Sequence, residues 1–221
     1  MMMYQTRIFK GLLYTNRSFF QLEKAEVIYG LRTRISWLFL ASALVFLISG
    51  LFGIGSHVVS PELLKSSPLQ YEGLKSYFII GRIIHGLLYA GCVIFLPALF
   101  FWMLSDTWYT KMVVLQAFTL PILLVEQTTF ILMATKLNLP WFSSPFSLGV
   151  LAQYLTDYEY LIYLLGSMSL FKLVAMVVQY EGLRTFAMKS RVEAIVMVLS
   201  INLIFWAFGA LQAFINFKML L

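Results

Sequence analysis

The sequence predicts an all-α, polytopic integral membrane protein. It has five transmembrane helices, its N-terminus inside and its C-terminus outside, and a short amphipathic helix before the first span. Three observations predict this. The chain of 221 residues is 61% hydrophobic and only 12% charged, with a mean hydropathy of +0.84. Soluble domains carry about twice that share of charge, so lipid is the solvent this surface suits. Five apolar runs approach or exceed the ~20 residues that a crossing requires. The 16 lysines and arginines are unevenly placed along the chain, which orients it.

Residues 1–34 form a basic cytoplasmic segment. Ser18 and Gln21 have capping-box spacing. Phe19, Leu22, Ala25 or Glu26, and Tyr29 then recur at helical intervals. This pattern predicts a helix lying on the membrane, with Arg17, Lys24, Arg32 and Arg34 toward the headgroups. No short apolar run with a small-residue cleavage site marks a secretory signal here.

Residues 35–221 form a single bundle. The first span covers about 35–55 and ends in Gly50, Gly53 and Gly55. A polar loop with Pro61 and Pro68 follows, with room for a short helix after Pro61. The second span, about 77–104, carries Arg82 and His85 in its first turns. Gly86 and Ala90 make a small-xxx-small pair that permits close helix packing, and Pro97 could kink the helix. Residues 105–110 are a short turn flanked by Trp102, Trp108 and Tyr109, as in an interfacial aromatic belt.

The third span, about 111–135, holds Pro121 and, five residues on, Glu126. A membrane helix does not keep a proline and a carboxylate so close without partners. Residues 136–157 are apolar but broken by Pro140, Pro145 and Gly149, which predicts an interfacial or re-entrant segment. The fourth span, about 158–179, carries Gly166, Ser167, Ser169 and Lys172; the fifth, about 192–217, carries Asn202 and the small pair Gly209 and Ala213.

With the N-terminus inside, ten lysines and arginines fall on the inner side and five on the outer, with Lys172 left within the membrane, out of 16. That bias sets N-in and C-out, and places the protein in the cell membrane as a multi-pass chain.

Depth suggests which buried charges meet. Glu126 lies roughly 20 Å from the inner face at ~1.5 Å per residue, in the outer half. Arg82 and His85 start the second span from outside, so they are the expected partners of Glu126. Counted from the outer end, Lys172 falls in the inner half, where its stem could snorkel to the headgroups or reach Asp106 or a lipid phosphate. The pairing is read first as a structural lock on the hairpin of spans two and three. A proton or substrate relay through Glu126, Arg82, His85 and Lys172 is the competing reading.

Enzyme classes lack their constellations. Gly166-Ser167-Met168-Ser169 resembles an intramembrane serine nucleophile only in outline, and no histidine lies on a late helix to serve as base. His57 and His85 are the only histidines and Cys92, read as a small core residue, is the only cysteine, so neither a metal site nor a cofactor is expected. The dispersed basic residues do not form a nucleic-acid patch.

Three stretches carry a family likeness. They are Asn16-Arg17-Ser18-Phe19-Phe20-Gln21-Leu22 before the first span, Gln116-Ala117-Phe118-Thr119-Leu120-Pro121 in the third, and 161–194, with Gly166, Gly182 and the run from Ser190 to Ala194. With the five-span layout, these resemble the Yip family of Rab-GTPase-interacting membrane proteins, and in particular its short bacterial relatives. Glu126 and Lys172 stand outside that pattern. The resemblance implies a non-enzymatic integral membrane scaffold or accessory subunit, binding another membrane protein such as a transporter; an oligomer of the chain itself is open. The alternative is a small transporter or channel.

Overall fold

The structure is a computed structural model that describes residues 3–6, 8–56 and 67–215. Those residues are almost wholly helical, and four helices are long and apolar enough to cross a membrane. Chain order is β1 (Met3–Gln5), α1 (Ile8–Leu13), α2 (Thr15–Glu23), β2 (Val27–Tyr29), α3 (Leu31–Leu51), α4 (Pro68–Met103) and α5 (Tyr109–Leu137). A 3-10 turn at Trp141–Ser143 precedes α6 (Gly149–Leu155), α7 (Glu159–Gly166), α8 (Leu170–Thr185) and α9 (Arg191–Phe214). The four long apolar helices are α3, α4, α5 and α9.

Apolar and polar residues are distributed inside out. Leu40, Leu44 and Ile48 of α3 and Ile195, Leu199 and Leu203 of α9 are exposed, whereas Gln116, Glu126 and Gln179 are buried. In water this arrangement would leave a large unfavourable apolar surface, but in lipid it is the stable one.

Helix α5 is the hub. It packs against α3, α4, α8 and α1, and every residue from 112 to 120 is buried. A helix wrapped on all sides needs no polar stripe, which is why this stretch is apolar all round. It continues through Pro121, although proline has no N–H for the Ala117 carbonyl.

Close approaches fix the neighbours. A Cβ on Gly86 would sit 2.9 Å from the Ser42 carbonyl oxygen, so α3 and α4 touch backbone to backbone there. The Ser42 hydroxyl donates to the Gly86 carbonyl at 2.6 Å. Gly182 of α8 likewise has no room for a methyl group, because its Cβ position is occupied by Leu115 of α5. Ala90 is fully buried.

Helix α4 begins nine residues earlier than the hydrophobic run suggests. Ser67 and Gln70 form a reciprocal capping box and Pro68 takes the first turn, where its missing N–H costs nothing. At 36 residues it extends about 54 Å, well beyond a ~30 Å hydrocarbon layer. The predicted helix after Pro61, together with His57 and Lys65, lies outside the described residues, as does the end of the fifth predicted span at 216–217.

The N-terminal segment departs from its expected role. Ser18 lies inside α2 and does not cap it. The stretch 27–29 is a strand, β2, which pairs in parallel with β1 through the register Met3↔Val27. The apolar face of α2 packs on protein. Phe19 and Leu22 are fully buried, and the Phe19 ring lies 5.7 Å from Phe118 of α5 and 5.9 Å from Phe186 just after α8. Lys111 at the start of α5 donates to the Glu23 carbonyl at 2.8 Å. Residues 3–6 and 8–30 thus form a cap over one end of the bundle. The sequence pattern turns Phe19 and Leu22 toward the membrane and runs the helix on to Tyr29; in the structure α5 and α8 cover that face and Tyr29 is an exposed residue of β2.

The fourth predicted span is broken. Residues 159–185 are two helices, α7 of 8 residues and α8 of 16, separated at Ser167, Met168 and Ser169. Both pack on α9. Tyr158 and Tyr160 meet Phe214 at the far end of α9, and Gln179 bonds Asn202 further back. The two pieces together therefore run antiparallel along α9, which restarts at a Ser190–Glu193 capping box.

Candidate functional site

The break between α7 and α8 places a buried acid beside a lysine. Residues 142–149 fold back against it. A Cβ on Gly149 would fall 1.9 Å from the Phe142 carbonyl oxygen and 2.8 Å from the Gly166 Cα. Only glycine at both positions lets these two backbones meet. The gap in helical hydrogen bonding is then closed from this segment. Leu170 N–H donates to the Phe146 carbonyl at 2.8 Å and Leu148 N–H to the Met168 carbonyl at 3.1 Å. Buried backbone must find such partners.

Ser169 caps α8, accepting from the Lys172 backbone N–H at 3.2 Å. Its hydroxyl donates to Oε1 of Glu126, which is fully buried on α5. The Lys172 Nζ lies 4.0 Å from the same oxygen and donates to the Ser167 carbonyl at 2.7 Å. Glu126 therefore faces the N-terminal end of α8, where exposed N–H groups favour negative charge. Its other oxygen, Oε2, is buried with no hydrogen-bond partner among the described residues. Tyr89 of α4 lies close enough to interact with Glu126 and to share a hydrogen bond with the Gln127 side chain.

A second polar layer lies toward the capped end. Gln179 of α8 donates to the Gln116 side-chain oxygen of α5 at 3.0 Å. Asn202 of α9 donates to Gln179 at 2.9 Å, and Thr119 donates to the Gln116 carbonyl at 2.9 Å. These amides tie three helices together through groups that lipid could not satisfy.

The expected pairing of Glu126 with Arg82 or His85 is not what the structure contains. Arg82 turns to α3, donates to the Ser49 hydroxyl at 2.6 Å and sits over the Phe46 ring at 5.4 Å. His85 is exposed, its ring 4.9 Å from that of Phe46. On α4 it is Tyr89, seven residues beyond Arg82 and so about 10 Å further along, that reaches the level of Glu126. Lys172, expected at another depth, is the actual partner.

Lys172 sits at the level of Glu126 because span four is not one straight helix measured from Tyr158. Counted from the capped end, Glu126 is about 25 Å above Tyr109 and Lys172 about 20 Å above Thr185. Helical side chains lean toward their own N-terminus, and the lysine stem covers the difference. Neither Asp106 nor a snorkelling position is used.

Of the remaining predicted residues, Gly86 and Ala90 are buried under α3, and Pro121 is half-buried within α5. Gly209 is half-buried but has no atom of the described residues within 4 Å of its Cβ position, and Ala213 is exposed. Cys92, read as a core residue, is exposed on α4. Sequence reasoning did not single out Gln116 or Gln179, and treated Ser169 only as a nucleophile candidate. The available signal was polar residues interrupting apolar runs. Among the described residues, no three His, Cys, Asp or Glu side chains come together as a metal site.

Comparison with protein-family models, with curated proteins and with solved structures finds no match to this chain.

Proposed function

We propose that the chain is a non-enzymatic, five-crossing membrane scaffold or accessory subunit that binds another integral membrane protein, in the manner of the Yip family it resembles in sequence. The fifth crossing is the discontinuous pair α7–α8. In support, Phe186 after α8 shares a cluster with Phe19 and Phe118, and Tyr158 before α7 lies near Phe214. The N-terminal cap lies on the cytoplasmic side, as the lysine and arginine bias requires.

The observation that carries the scaffold reading is the contrast between two small-residue pairs. Gly86 already meets α3 and Ala90 is fully buried, whereas on α9 Gly209 has no atom of the described residues within 4 Å of its Cβ position and Ala213 is exposed, a strip of small residues. Such strips let a second helix approach closely. The test is pull-down from native membrane in mild detergent. The wild-type chain is expected to bring down an integral membrane partner, and Gly209→Leu with Ala213→Leu to lose it while remaining folded. Retention of the partner by the double variant would sink this reading.

The second reading, a small transporter, is favoured by the α7–α8 break itself. Discontinuous helices facing a buried charge recur at transport sites. Glu126→Gln separates the two readings. Loss of substrate or ion flux in liposomes with partner binding intact supports the transporter; loss of assembly with no flux to lose supports the scaffold.

A further inference from the structure

We propose that Glu126 is a proton-binding site built into the α7–α8 break, and that uptake of one proton at its Oε2 dissolves the ion pair with Lys172 and frees the lysine. The inference rests on neither reading of the chain's partners.

Three features of the site point this way. The carboxylate is only partly satisfied. A carboxylate offers about four lone-pair positions, yet Oε1 receives the Ser169 hydroxyl and Oε2, fully buried, receives nothing from the described residues. An ionised oxygen left so is under pressure to acquire a proton or a donor.

The lysine is not committed to the carboxylate. At 4.0 Å its Nζ is beyond hydrogen-bond range of Oε1, and its short bond, 2.7 Å, goes to the neutral Ser167 carbonyl. Its side chain is 25% exposed while that of Glu126 is 0% exposed. Neutralising Glu126 removes the one charge among the described residues that holds the ammonium inward, and the exposed stem gives it a way out.

The chemistry is that of a simple acid. One proton from solution adds to Oε2 and the Ser169 hydroxyl keeps its bond to Oε1, while release of the lysine breaks its ionic contact with Oε1 and its hydrogen bond to the Ser167 carbonyl. The titratable groups facing Glu126 are Lys172 on α8 and Tyr89 on α4. Ser169 and Gln127 are its polar, non-titrating neighbours. Lys172 opposes proton uptake while its charge is near, so the pair forms a two-position element: paired and ionised, or loaded and apart.

The test is infrared difference spectroscopy of the full chain in lipid nanodiscs, following the C=O stretch of a protonated carboxyl as pH is lowered. The expected result is a titrating carboxyl that is absent from Glu126→Gln. In Lys172→Met its midpoint should move to higher pH by roughly 1–3 pH units, because the neighbouring cation is gone. Ser169→Ala keeps the acid and removes only one donor, so its midpoint should also rise. That variant serves if Glu126→Gln does not fold. A signal unchanged in Glu126→Gln, or midpoints unmoved in both Lys172→Met and Ser169→Ala, overturns the proposal. A midpoint that changes when NaCl replaces choline chloride also overturns it, assigning the site to a metal cation that competes for the same oxygens.

Discussion

Glu126 could be recognised from the sequence as an anomaly, because a carboxylate inside 25 apolar-rich residues must be accounted for. Its partner could not. Serines are common in membrane helices, so Ser169 gave no signal above background, and Lys172 was assigned a depth from a straight helix that does not exist. The two residues now make a specific energetic statement. Double-mutant cycles on membrane hydrogen bonds average about 0.6 and reach about 1.7 kcal/mol. Glu126→Met, which keeps the length and removes the acceptor, combined with Ser169→Ala and followed by reversible unfolding in mixed micelles, should show coupling within that range. Additive effects would mean that the Ser169 hydroxyl bond to Glu126 contributes nothing. Lys172→Met should be milder than Glu126→Ala, since the lysine is partly exposed and keeps little apolar contact hostage.

At the level of elements, composition and run length were sufficient for α3, α5 and α9, whose boundaries fall within a few residues of the apolar runs. They were insufficient for α4, whose polar first turns depend on the Ser67 capping box, and for the α7–α8 break, which hides inside a continuous apolar run. Periodicity picked Phe19 and Leu22 as a buried face but cannot say whether lipid or protein covers it. The structure answers with Phe118 and Phe186. Phe19→Ala should therefore cost about 3–5 kcal/mol, as for a core phenylalanine, and should loosen the cap. Exposure of residues 3–30 to limited proteolysis would report it; unchanged cleavage would mean that the ring is not holding the cap.

Tyr4 offers a separate handle on the cap. Burial pushes its phenol up, and a hydrogen bond with Ser18 lowers it by less. The folded cap therefore keeps the proton after the unfolded segment has lost it. Stability is full below the ordinary tyrosine pKa of about 10 and falls as pH rises through and above it. Protection of the α2 amides, corrected for base-catalysed intrinsic exchange, should fall in alkali for the wild type. In Tyr4→Phe this alkaline component should vanish.

For the molecule as a whole, the inside-out distribution of polar and apolar residues was evident from composition, but the number of crossings depends on contacts that a linear reading could not supply. The issue is where residues 186–190 emerge. If only the four long helices cross, α6, α7 and α8 all remain on the side where α5 ends, and the α8–α9 connection shares a face with Asp157. If α7 and α8 cross together, that connection returns to the face bearing the α4–α5 turn. Packing favours the second arrangement: Phe186 touches the cap residue Phe19, and the cap is tied to the start of α5 by Lys111. The two alternatives separate in intact cells. In a Cys92→Ala background, Asp106→Cys and Lys189→Cys should both be shielded from a membrane-impermeant maleimide added outside, and Asp157→Cys should react. Shielding of the first with reaction of the other two would reduce the fold to four crossings. It would also leave the buried Glu126–Lys172 pair and the Gln116–Gln179–Asn202 layer without the helix that brings them together at membrane depth, so the positions of these polar residues and the crossing number stand or fall on the same labelling pattern.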